Sequence, residues 1–174
     1  MKTYISGAAL AAISLLALSG TAFAQSNESA GDFQVTLTVE NSCTASVDDL
    51  DFGSIGDFDA NVDAAADITV TCTGETPFQI GLDNGENHTG TTRAMLITGG
   101  GTETVEYGLF SDEARTTAWG NTLGDDTHGG TGTAGAQTVI LYGRVPSGQT
   151  AVVGSFSDTV VATLWYGTGI PDDD

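Results

Sequence analysis

The residues with the most definite chemistry are Cys43 and Cys72, the two cysteines of a 174-residue chain. A metal pair or a catalytic thiol needs a nearby histidine or a Cys-x-x-Cys partner, and neither cysteine has one. In an oxidising compartment such a pair forms a disulfide. The first 24 residues point to that compartment. Lys2 supplies a positive start, "GAALAAISLLALSG" an apolar stretch, and "AFA", Ala22 to Ala24, a small-x-small exit before Gln25. Closing the loop between the cysteines contributes about 3–4 kcal/mol.

Other motifs match by letters and fail by context. "DFDANVD" sets Asp57, Asp59, Asn61 and Asp63 at alternate positions, as a calcium loop does. The sixth position is Val62 instead of glycine and the twelfth is Ile68 instead of glutamate, so it reads as a solvated acidic loop. "GTGTAG", with Gly130, Gly132 and Gly135, lacks the strand before and the helix after that a dinucleotide fingerprint requires. His88 and His128 lie in Gly/Thr-rich stretches without metal-ligand spacing. "GSIG" at 53–56 is not a nucleophile elbow. No nucleophile, base and oxyanion donors assemble, so neither an enzyme nor a cofactor or metal is expected. Arg115, beside Asp112 and Glu113, reads as a local ion pair fixing a loop. Trp119 and Trp165 read as core or edge aromatics.

The elements that hold these residues are strands. Gly, Thr, Val and Asp dominate after the leader, and helical periodicity is weak; "VDAAAD" (62–67) and "SDEART" (111–116) are the best candidates for single helical turns. Alternation predicts strands over 33–40, around Cys43, and over 50–55, 66–73, 77–84, 93–98, 105–112, 137–145 and a long closing run 154–167. "GENHTG", "TGGGTE" and "DDTHGGTGTAG" read as loops, and "TGIPDDD" as a mobile acidic tail. The pattern is that of an all-β antiparallel sandwich. Past the leader, 150 residues suit a single domain with a real core.

Charge narrows the partners. After the leader, Arg93, Arg115 and Arg144 stand against 23 acids, and no lysine remains. Nucleic acid and anionic lipid are poor partners for such a surface. No later apolar stretch is long enough to enter and cross a bilayer, so no membrane insertion is expected.

The ordered set "SCTAS", "LDFGSI", "ITVTCTGETPFQIGLDNG", "YGLFSDEARTTAWGN", "LYGRVPSGQ" and "FSDTVVATLWYG" resembles the spore coat protein U domain family, whose well-understood members are pilins of archaic, Csu-type chaperone–usher pili. The resemblance spans essentially the whole chain after the leader. It implies an incomplete immunoglobulin-like antiparallel β-sandwich, completed by a donor strand from a neighbouring subunit. It also implies a periplasmic chaperone, an outer-membrane usher and copies of itself or related pilins as partners, in a surface pilus serving adhesion and biofilm formation. The expected organisation is a signal peptide over 1–24, a donor segment over 25–40, the sandwich over 41–167 and an acidic tail over 168–174.

The residue pattern adds detail. Phe33, Val35, Leu37 and Val39 alternate with Gln34, Thr36, Thr38 and Glu40, so one apolar face can fill a neighbour's groove. No further strand is expected after the closing run, which leaves an edge to be covered. Its apolar face, Phe156, Val160, Ala162 and Leu164, is the expected groove lining. A self-complete secreted sandwich that uses 33–40 as its own first strand and binds a carbohydrate or surface ligand is the other reading. Two departures stand out: the acidity, which makes stacked copies repel at low salt, and the extra tail.

Overall fold

The computed structural model describes residues 31–171. The expected leader at 1–24, residues 25–30 of the expected donor segment and 172–174 of the expected tail lie outside the described residues.

Nine strands and no helix occur among the described residues: β1 (Cys43–Val47), β2 (Val62–Cys72), β3 (Pro77–Leu82), β4 (Arg93–Ile97), β5 (Thr104–Phe110), β6 (His128–Thr131), β7 (Ala136–Val145), β8 (Phe156–Ser157) and β9 (Ala162–Tyr166). They form two antiparallel sheets, ordered β1-β2-β7-β5-β4-β8 and β6-β3-β9. Alternation drives the larger sheet. Ile68 and Val70 of β2, Val105, Tyr107 and Leu109 of β5, and Leu141 and Val145 of β7 turn inward. They meet Phe78, Ile80 and Leu82 of β3, so one core lies between the sheets. Trp119, 1% exposed, completes it and donates its indole N–H to the Ile80 carbonyl at 2.7 Å.

β3 is buried on both faces. Its outer face carries Gln79, whose side-chain oxygen accepts from Gly124 N–H (3.0 Å) and the Thr127 hydroxyl (2.5 Å). Its amide donates to the Pro171 carbonyl, which brings residue 171 against the outer face of the small sheet.

Several expectations change. Residues 62–67 are not a helical turn but the start of β2, because β7 offers them a continuous antiparallel partner from Val62↔Val145 to Thr71↔Ala136. Residues 128–131, read as loop, form β6 against β3. A Cβ on Gly130 would lie 2.6 Å from the Phe78 ring, so the bare backbone is what lets the strands approach. Residues 50–55 form no strand, because the Asp51 carboxylate takes the Gly53 N–H in a turn with Gly53 at φ 75°. The closing run is not one strand: β8 lies in the large sheet and β9 in the small one. Residues 33–40 form no strand in this chain.

Candidate functional site

The disulfide sets one end of the site. Cys43 and Cys72 face each other in register across β1 and β2 and are bonded. Next to it, the Thr73 hydroxyl accepts from Ser42 N–H (3.0 Å) and donates to the Glu40 carbonyl (3.3 Å). Thr76, fully buried, donates to Asn41 Oδ1 at 3.3 Å. The chain is thus anchored from Glu40 onward. Before that point Phe33, Val35, Leu37 and Val39 are 75–88% exposed. Such exposure of four apolar side chains in alternation is unusual for a finished surface.

β1 and β9 stand at the ends of their sheets. Among the described residues β1 pairs with β2 alone and β9 with β3 alone, so each has an outer edge without a ladder partner. The two strands approach at one end, where Gly167 lies against Asn41. Toward the other end they part and the core opens. A cavity of about 620 Å³ lies there, with Leu82, Leu109 and Leu141 at its base and Val47 to Leu50 and Phe52 along one side. An adjoining cavity of about 810 Å³ shares Leu50, Phe52, Met95 and Phe156 and continues the opening under the 146–155 connection.

Of the expected lining residues, Phe156, Val160 and Ala162 border the first cavity. Leu164 does not border it; it packs on the core opposite Ile80. They do not share one strand face, because the chain crosses from one sheet to the other between β8 and β9.

That crossing is held by two carboxylates. Asp158 accepts from the N–H groups of Glu86 (3.0 Å) and Asn87 (3.2 Å), the Asn87 side-chain amide (2.9 Å) and the Tyr107 hydroxyl (2.7 Å). Asp83 accepts from Gly85 and Val161 N–H, both at 2.9 Å. Burial, reinforced by the bond to Asp158, pushes the Tyr107 hydroxyl far above the usual phenol range, so it stays a donor.

Arg93 secures the same corner. It is 7% exposed, starts β4 in the large sheet, and donates to the carbonyls of Asp83 (2.7 Å), Leu82 (2.7 Å) and Trp119 (2.9 Å). It therefore staples the two sheets beside the cavity. Burial lowers its pKa, and the negative charges of Asp83, Asp126 and Asp158 oppose that. This role was not read from the sequence. The available signal was an arginine opening an apolar run in a chain with almost no cations.

The remaining candidates separate. Arg115 makes no ion pair with Asp112 or Glu113. It donates to the carbonyls of Gly143 (3.0 Å) and Glu113 (2.8 Å), lies 3.4 Å from Asp63, and stacks over Tyr142. Asp112 instead accepts Thr116 and Thr117 N–H groups, which hold its carboxyl below the usual range, the Thr117 bond most of all. The 57–63 acids disperse: Asp57 caps Asp59 N–H, Asn61 accepts Ser147 N–H, and Asp63 binds Arg144 through both oxygens at 2.6 and 2.7 Å. Among the described residues no three His, Cys, Asp or Glu side chains converge as a metal site. Trp165 lies on the outer face of the small sheet, over Gly81. His88 bonds the Gly90 carbonyl, and His128 packs beside Trp119. No helix of the described residues is long and apolar enough to cross a membrane.

The fold is an immunoglobulin-like β-sandwich. A chain in the crystal structure of the CsuC–CsuE chaperone–tip adhesion subunit pre-assembly complex, from the archaic chaperone–usher Csu pili of Acinetobacter baumannii, is similar to it. The TM-score is 0.54 at 20% identity, over 73% of this chain and 40% of that one. The E. coli Hda pilus minor tip subunit HdaB gives 0.42 at 14% identity, over 70% of this chain and 79% of that one. The model of the Spore Coat Protein U domain matches residues 29–163, and the chain belongs to that family. Protein U of Myxococcus xanthus is 40% identical over 65 residues, 37% of this chain and 36% of that protein, so the match spans about a third of that relative.

Proposed function

We propose that this chain is a structural pilus subunit, assembled by donor-strand complementation through a chaperone–usher pathway and serving adhesion and biofilm formation. The observation that carries it is the cavity that opens onto the core where β1 ends at Val47 and β9 begins at Ala162, beside two strand edges with no ladder partner among the described residues. In this reading the 1–24 leader is removed on export and residues 25–40 of one copy serve its neighbour. Phe33, Val35, Leu37 and Val39 enter the groove, and the extended backbone pairs with the free edges. Four buried apolar side chains contribute roughly 6–12 kcal/mol gross, at roughly 1.5–3 each, before the cost of ordering the segment. The role is structural, not catalytic. A periplasmic chaperone covers the groove first, an outer-membrane usher directs exchange, and the product is a pilus at the cell surface.

A gel tests this. The chain is co-expressed with a chaperone encoded beside it, isolated, and run unheated in detergent next to a version lacking residues 25–39. A ladder that vanishes in the shortened version is expected. Identical monomer bands from both would replace the pilus reading with a self-complete binding module. Failure of the shortened version to fold would make 33–40 part of its own domain.

A further inference from the structure

The groove is apolar inside and acidic at its mouth. Asp48, Asp49 and Asp51 are exposed on the segment that leaves β1 and border it, and Asp57 and Asp59 continue the same rim. Among the described residues no arginine or histidine borders either part. The three arginines cannot compensate. Arg93 is buried on three carbonyls, while Arg115 and Arg144 both turn to Asp63. The segment proposed to enter is acidic as well: Asp32 and Glu40 bracket its apolar alternation, with no cation between them.

Two surfaces of one sign must therefore come together before any apolar contact forms. The screening length is about 30 Å at 0.01 M salt, about 10 Å at 0.1 M and about 3 Å at 1 M. At the first value the rim and the incoming segment interact throughout the approach; at the last they do so only on contact. Resting on the donor-strand reading, we infer that joining of copies is controlled by ionic strength at the groove mouth, with Asp48, Asp49 and Asp51 as the repelling group. Low salt holds copies apart, and salt permits entry of a second copy's N-terminal segment. This inverts the usual electrostatic steering of association.

The test uses the full mature chain with its disulfide intact. It is diluted from denaturant into NaCl between about 20 and 500 mM, and growth of detergent-resistant species is timed on unheated gels. Growth about tenfold slower at the low end is expected. The triple variant Asp48→Asn, Asp49→Asn, Asp51→Asn keeps an oxygen acceptor for Gly53 N–H. It should grow faster at low salt, with a flatter salt dependence. Asp32→Asn with Glu40→Gln, on the incoming side, should do the same and serves if the triple variant folds poorly. Salt also strengthens apolar burial, but equally in all three proteins, so the difference in slope isolates charge. Equal slopes, or a wild-type rate that is flat or falls with salt, overturn this inference and leave donor-strand exchange standing. No detergent-resistant species at any salt overturns both.

Discussion

Replacing Arg93 tests whether the corner beside the groove is held as described. Arg93→Met removes a guanidinium that serves three backbone carbonyls at 2.7–2.9 Å. A hydrogen bond from a charged group contributes about 1.5–3 kcal/mol, so three give roughly 5–9 kcal/mol. Against this stands the cost of keeping a guanidinium out of water, several kcal/mol. The substitution also removes a cation whose charge interacts with Asp83, Asp126 and Asp158. The net loss is expected at about 3–5 kcal/mol. A domain of this size has about 5–15 kcal/mol in all, so the variant should be near its limit. Arg93→Lys separates charge from geometry: one ammonium cannot span three carbonyls in the planar fork that arginine offers, so it should lie nearer the methionine variant than wild type. Urea unfolding followed by tryptophan fluorescence reads both, since Trp119 is 1% exposed and accepts no water until the sheets part. A methionine variant within about 1 kcal/mol of wild type would show that water or side-chain shifts satisfy those carbonyls, and the staple would be refuted.

Replacing Cys43 and Cys72 together by serine opens a loop of 29 residues' separation and should cost about 3–4 kcal/mol, read as a lower urea midpoint. Reductant should lower wild type to the same midpoint; no difference would mean the unfolded chain keeps β1 beside β2. Leu37→Asn, at a side chain 88% exposed, should leave the urea midpoint of the monomer unchanged while abolishing the detergent-resistant ladder. A ladder of undiminished length would remove Leu37 from the contact. Asp63, held by its bond to Arg144, and Asp112, held by the Thr117 N–H, have carboxyls depressed below 3.8 in the folded chain. A depressed folded pKa gives stability that is present above the unfolded value and lost as pH falls through the folded one. Acid titration of stability should therefore steepen below about pH 4, and Asp63→Asn should flatten it there.

Much of the sandwich was legible because it follows from alternation. Ile68 and Val70, Phe78, Ile80 and Leu82, and Val105, Tyr107 and Leu109 each repeat at period two, and each set is buried. The cysteine pair was legible because no other chemistry fitted two isolated thiols in a chain whose first residues read as an export signal. The same rule could not say what β-patterned residues pair with. "VDAAAD" carries weak local preference and became strand because β7 lies beside it. "HGGT" has almost no strand signal, yet its missing side chains are what admit Phe78.

The groove and its corner were decided by tertiary structure. One alternating run, 154–167, became two short strands in different sheets because Asp158 and Asp83, far apart in sequence, draw the intervening backbone across. Arg93 looked like any strand-opening charge until folding surrounded it with carbonyls from the other sheet. The run Phe33 to Val39 shows the converse. By itself the sequence determined an apolar stripe with strand spacing; a strand also needs an edge to donate to and accept from. Alternation is a property of the segment. Pairing belongs to the surface it meets, and no local pattern encodes that.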